Sequence, residues 1–88
     1  MKVAFFSNFL NHHQLPLCQA FLKRKDVEFL FIATEPIAKD RLAMGYEDMN
    51  AYPFVLCAYK DDERKNQAVE IAETYDLVIF GATTKIYI

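Results

Sequence analysis

The stretch MKVAFFSNFLNHHQLPLCQAFLKRKDVEFLFIA, residues 1–33, holds an apolar run, a helical repeat and a second apolar run, and its reading decides the fold. Residues 3–6 (VAFF) and 27–33 (VEFLFIA) lack clean polar alternation and are rich in Val, Ile and Phe, the pattern of strands covered on both faces of a parallel sheet. Between them Leu15, Cys18 and Leu22, then Leu17 and Phe21, recur at three- and four-residue spacing, which predicts a helix over 12–25. Asn11 and Gln14 stand at capping-box spacing, and Leu10 with Leu15 at the spacing of a hydrophobic staple. Pro16 then falls in or near the first turn, where its missing N–H costs little. Lys23, Arg24 and Lys25 fall at the expected end of the helix and complement its dipole.

Outward from this unit, residues 54–57 (FVLC) and 77–80 (LVIF) read as a third and a fourth strand. Ala68, Ile71, Ala72 and Tyr75 mark one face of a helix over 61–75, with Asp61, Asp62 and Glu63 at its positive end. Pro36 opens and Gly45 closes a short helix containing Ile37, Leu42 and Met44, followed by a loop over 46–53. Strands alternating with helices favour parallel pairing through right-handed crossovers. The expected fold is α/β: a Rossmann-like half with a four-stranded parallel sheet of order 3-2-1-4, helices on both faces, and its switch point between strands one and four. No linker or repeat divides residues 1–88, which read as one domain. The open edge of strand four and the apolar tail Ile86, Tyr87 and Ile88 predict that further protein covers this surface.

Composition bounds the function. With 53% hydrophobic and 15% aromatic residues the chain can form a core. Twelve acidic against ten basic side chains, a net charge of −2, argue against nucleic acid as a partner held by phosphate neutralisation. The longest unbroken apolar run, 54–59 (FVLCAY), is far shorter than the roughly 20 residues of a membrane span. The apolar stretch after Lys2 ends at Ser7, too early for the h-region of a secretory signal, so a cytoplasmic location is expected. Cys18 and Cys57 form no CxxC and have no histidine at zinc-ligand spacing; they read as buried thiols, and no metal ligand set is expected.

Open α/β sheets bind ligands beyond the carboxyl ends of their strands, where neighbouring loops diverge at the switch point. Here those loops are 7–13 and 81–84, with Thr34, Glu35 and Tyr59 supplied by strands two and three. The candidate substrate-binding residues are Ser7, Asn8, Asn11 and His12 in the first loop, Glu35 after the second strand, and Gly81, Thr83 and Thr84 after the fourth. An imidazole at a helix start is suited to accept a proton from a hydroxyl at neutral pH. His12 and His13 diverge by about 100° on a helix, so at most one faces the crevice. With no glycine in the first loop there is neither a GxGxxG nor a P-loop, which leaves Glu35 without a dinucleotide site around it. Asp61 and Asp62 follow strand three, as a phospho-acceptor would. Ser7 and Asn8 stand where paired acids would hold Mg²⁺, so helix capping is the better reading of the two aspartates.

The opening KVAFFSNFLNHHQLP, together with IATEPIAKDRLAMGY and DLVIFGA, resembles the start of the N-terminal domain of GT-B glycosyltransferases of the family 1/4 type. The resemblance spans nearly all of this chain and about the first quarter of such proteins. In those enzymes a histidine at the start of the first helix, three residues before a proline, often serves as general base; His13 and Pro16 match that spacing, although SNFLN replaces the usual glycine-rich loop. The resemblance implies an acceptor-side fragment of a truncated GT-B domain, with a nucleotide-sugar donor bound mainly by a C-terminal domain. It further implies no metal or other cofactor, and no sugar transfer by these residues alone. The alternative expectation is a stand-alone Rossmann-like binding module that forms a homodimer through its exposed sheet edge or tail.

Overall fold

The structure, a computed structural model, describes residues 1–10, 14–36, 44–45 and 49–81. Strands β1 (Lys2–Ser7), β2 (Glu28–Ala33), β3 (Val55–Cys57) and β4 (Leu77–Phe80) form one sheet in the order β3-β2-β1-β4. All three neighbouring pairs are parallel, and Phe6 aligns with Ile32 on one side and Phe80 on the other. The chain is therefore an α/β, Rossmann-like half with β1 and β4 flanking the switch point, as expected from the alternation of runs.

Successive side chains of a strand point to opposite faces, which makes the unbroken apolar run of β1 intelligible. Val3 and Phe5 join Phe29 and Phe31 on one face, under Cys18, Leu15 and Phe21 of helix α1 (Leu15–Leu22). Ala4 and Phe6 join Ile32 on the other, under Ala68, Ile71 and Ala72 of helix α2 (Asp62–Thr74). Both faces are covered, so neither offers a place for a polar residue. Stacked rings fill the α1 side, Phe5 on Phe31 at 5.5 Å and Phe21 on Phe29 at 5.2 Å between centroids.

Helix α2 begins as its acids predict. Asp61 caps it by accepting the Arg64 N–H at 2.8 Å and also pairs with the Arg64 guanidinium, while Asp62 and Glu63 occupy the first turn. Helix α1 is shorter than its apolar repeat suggests. Gln14 is its N-cap residue and contributes no side-chain cap, because its amide is bonded to Ser7; Pro16 lies in the first turn. The helix stops at Leu22, so the basic run follows its end instead of completing its last turn, and Arg24 pairs with Asp26 at 3.1 Å.

Strands β1, β2 and β3 differ from the apolar runs by a residue at an end or two, as ladder bonds extend or stop short of the hydrophobic pattern. The expected loop over 46–53 contains a 3-10 turn at Met49–Ala51. Gly45 has φ 91°, a left-handed conformation that only glycine adopts freely and that suits the end of a helix. The body of the short helix expected over 36–45, and Asn11 as a cap, lie outside the described residues.

Candidate functional site

Past the carboxyl ends of β1, β2 and β3 the backbone leaves the ladder, and its polar groups need other partners. Ser7 closes β1 fully buried, and its carbonyl accepts from the Thr34 N–H at 2.9 Å and the Thr34 hydroxyl at 3.2 Å. Its Oγ accepts from Gln14 Nε2 at 3.0 Å and donates to Asn8 Oδ1 at 3.3 Å. Asn8 in turn accepts from the Phe9 N–H at its side chain, 2.8 Å, and from the Glu35 N–H at its carbonyl, 2.7 Å. The first two loops are thereby tied together.

The far end of the described chain arrives at the same place. Gly81, which follows β4, donates its N–H to the Phe6 carbonyl at 2.7 Å. A Cβ on Gly81 would stand 3.1 Å from both Ser7 Oγ and Phe5 Cε1, tighter than ordinary van der Waals contact, so the close approach depends on the missing side chain.

Asn50, in the 3-10 turn and only 4% exposed, connects a third loop. Its Oδ1 accepts from the Leu10 N–H at 3.0 Å, and its Nδ2 donates to the Glu35 carbonyl at 3.2 Å and to the Tyr59 hydroxyl at 3.4 Å. The Cys57 thiol donates to the Asn50 carbonyl at 3.4 Å. The second thiol, Cys18, lies in the core beneath α1, and burial pushes its pKa up to about 11. It therefore stays protonated and is no nucleophile near neutral pH.

Of the sequence-predicted residues, Ser7, Asn8, Glu35 and Gly81 converge at the carboxyl end of the sheet. Asn11, His12, His13, Thr83 and Thr84 lie outside the described residues. Sequence reasoning missed two members of the network. Gln14 carries a helix-capping signal that its tie to Ser7 overrides, and Asn50 stands in a stretch with no periodic pattern and meets Leu10 forty positions away.

A cavity of about 450 Å³ opens elsewhere, between α2 and strands β1, β2 and β3, with Lys2, Leu30, Leu56, Ile71 and Tyr75 among its lining. It is a groove with an apolar floor, remote from the convergent hydrogen-bonding groups. The functional reading follows those groups, since ligand orientation and chemistry need placed donors and acceptors as well as a hollow. Among the described residues no three His, Cys, Asp or Glu side chains gather as a metal site, and no helix is long and apolar enough to cross a membrane. Comparison of the chain with protein-family models, with curated proteins and with solved structures gives no match.

Proposed function

We propose that the chain forms the acceptor side of a GT-B-type glycosyltransferase, which moves a sugar from a nucleotide-sugar donor to an acceptor hydroxyl. The observation that supports this best is the meeting of Ser7 and Gly81 at the β1/β4 switch point, with Asn8 and Glu35 beside them. This is where a doubly wound sheet holds its ligand. The reading assigns amide and carboxylate contacts with the acceptor to Asn8 and Glu35, joined by Asn11, His12, Thr83 and Thr84, and makes Ser7, buried behind them, the group whose hydroxyl holds Asn8. His13 takes the proton of the acceptor hydroxyl as that oxygen bonds to the anomeric carbon and the bond to the nucleotide diphosphate breaks. A second Rossmann-like domain supplies the donor wall.

Two measurements test this. Titration of the ¹⁵N-labelled 88-residue chain with methyl glycosides is expected to shift the amides of Ser7, Asn8, Glu35 and Gly81 and leave those of the amino end in place; glycosides that move none of the four would sink the reading. In a chain carrying the donor-binding domain, His13→Ala is expected to lower kcat by about 10²-fold or more. Unchanged turnover would remove His13 from the chemistry.

One observation favours a second reading. Leu77 and Phe80, at 39% and 40% exposure on the edge strand β4, leave an apolar edge without a charge or proline to blunt it, which suits pairing with a second copy. Sedimentation would decide: a dimer dispersed by Phe80→Lys supports self-association, and a monomer at all concentrations excludes it.

A further inference from the structure

We infer that Asn50 is a positioning residue for the carboxyl-end site: its side-chain amide locks the loops after β1, β2 and β3 into one fixed arrangement. The assignment rests on reading this end of the sheet as the substrate-facing one.

The two atoms of the amide do different work. Oδ1 receives the buried Leu10 N–H and so fixes the loop that begins at Ser7 and Asn8. Nδ2 faces the Glu35 carbonyl and the Tyr59 hydroxyl, which fixes the loops after β2 and β3. Backbone bonds join these loops in pairs, Thr34 N–H to the Ser7 carbonyl, Glu35 N–H to the Asn8 carbonyl and Ala58 N–H to the Ala33 carbonyl, whereas among the described residues the side-chain amide of Asn50 reaches all three. Its own place is set from β3, because the Cys57 thiol at the end of that strand donates to the Asn50 carbonyl. Only an amide presents a donor and an acceptor in one plane at this reach; a carboxylate keeps the acceptor and loses the donor.

This asymmetry supplies the test. Hydrogen exchange of the 88-residue chain would compare the wild type with Asn50→Ala and Asn50→Asp, with the core amides of Phe5 and Phe31 as internal reference. For Asn50→Ala, protection at Leu10, whose N–H loses its acceptor, is expected to fall about tenfold or more relative to the reference, and the Glu35 N–H, held by the Asn8 carbonyl, is expected to lose protection with it as the loops loosen. For Asn50→Asp at pH 7, Leu10 is expected to keep its protection, while the Glu35 N–H, bonded to the Asn8 carbonyl, loses protection because the Glu35 carbonyl is no longer held and the loop after β2 loosens. The introduced carboxyl faces the Leu10 N–H, the Tyr59 hydroxyl and the Glu35 carbonyl, while the Cys57 thiol stays on the main-chain carbonyl of position 50. Burial disfavours its charged form, against the Leu10 N–H, which favours it; acidification that protonates the carboxyl returns a donor to the Glu35 carbonyl and restores Glu35 protection. Recovery on acidification, absent from the wild type, is a signature that a residue acting by volume alone would not give.

Protection at Leu10 and Glu35 that follows the core amides in both variants would overturn the assignment. So would an Asn50→Asp chain indifferent to pH. If Asn50→Ala fails to fold, the aspartate variant decides alone. The same samples titrated with methyl α-glucoside separate the two claims. Loss of the glycoside-induced shift at Asn8 in Asn50→Asp supports positioning of the site, and a wild type without any shift overturns the glycosyltransferase reading while the exchange data still decide the clamp.

Discussion

At the carboxyl end of the sheet, side chains of Ser7, Asn8, Gln14, Thr34 and Asn50 tie the loops to one another. At the amino end the ties are fewer and lie at the surface. The N-terminal ammonium donates to the Asp26 carbonyl at 2.9 Å, the Lys2 N–H to Asp76 at 2.7 Å, and Lys2 Nζ lies 5.7 Å from the centre of the Tyr75 ring. The open groove of about 450 Å³ begins at this loosely tied end. The groove runs along the α2 face of the sheet from Lys2 to Leu56, whereas the convergent polar groups lie past the strand ends. Hydrogen bonds that cross between loops hold backbone in one place, whereas a groove beside a helix can arise simply because thirteen residues of helix do not span four strands.

Substitutions can break or sharpen this contrast. The largest effect is expected at Asn50: replacement by alanine leaves the buried Leu10 N–H and the Glu35 carbonyl without the amide, at a cost of about 2–4 kcal/mol in urea unfolding. A loss below about 1 kcal/mol would mean that the carboxyl end is no more tightly bound than the amino end. Next comes Gly81→Val, which drives side-chain atoms against Ser7 Oγ and Phe5; about 1–3 kcal/mol is expected by calorimetry. Serine at position 7 cannot give way freely, since its hydroxyl is held by Gln14 and Asn8.

In the groove beneath α2, Leu56→Ala enlarges a space already open to water and is expected to cost about 1 kcal/mol, well under the 2–5 kcal/mol of a sealed site. A value in the upper range would show that the groove is closed in solution. The smallest effect is that of acid, and it draws on both ends. Asp26 at the amino end is held below the usual carboxylate range first by the Arg24 guanidinium, and Asp61 at the carboxyl end first by the Arg64 N–H. A carboxyl with a lower pKa folded than unfolded stabilises the fold above its unfolded pKa and loses that contribution as pH falls through its folded value. The share of these two carboxylates in thermal stability should therefore be full above about pH 5 and be lost as pH falls below about pH 4. Arg24→Ala should remove only the share of Asp26; a decline unchanged in that variant would remove Asp26 from the account.

The strands were legible because burial on both faces leaves only apolar residues along β1 and β2, and helix α2 because its acidic start and spaced apolar face agree. The ends of α1 were not. Gln14 and the Lys23–Lys25 run carry helix-terminal signals, but one side chain is spent on Ser7 and the basic run lies past the last turn. That Ser7, Asn8, Glu35 and Gly81 meet at the carboxyl end of the sheet was legible because strand ends can be located from the apolar runs.

Periodicity and composition by themselves determined the α/β class and the end of the sheet at which polar groups collect, since both follow from which faces must be dry, while the strand order was expected from the pattern of doubly wound sheets. Only the tertiary structure decided that Asn50 joins three loops, that position 81 must lack a side chain against Ser7, and that the open groove lies away from both. Those facts depend on distances of a few tenths of an ångström between residues far apart in the chain. No local pattern encodes such distances, because they are set by the packing of the whole sheet.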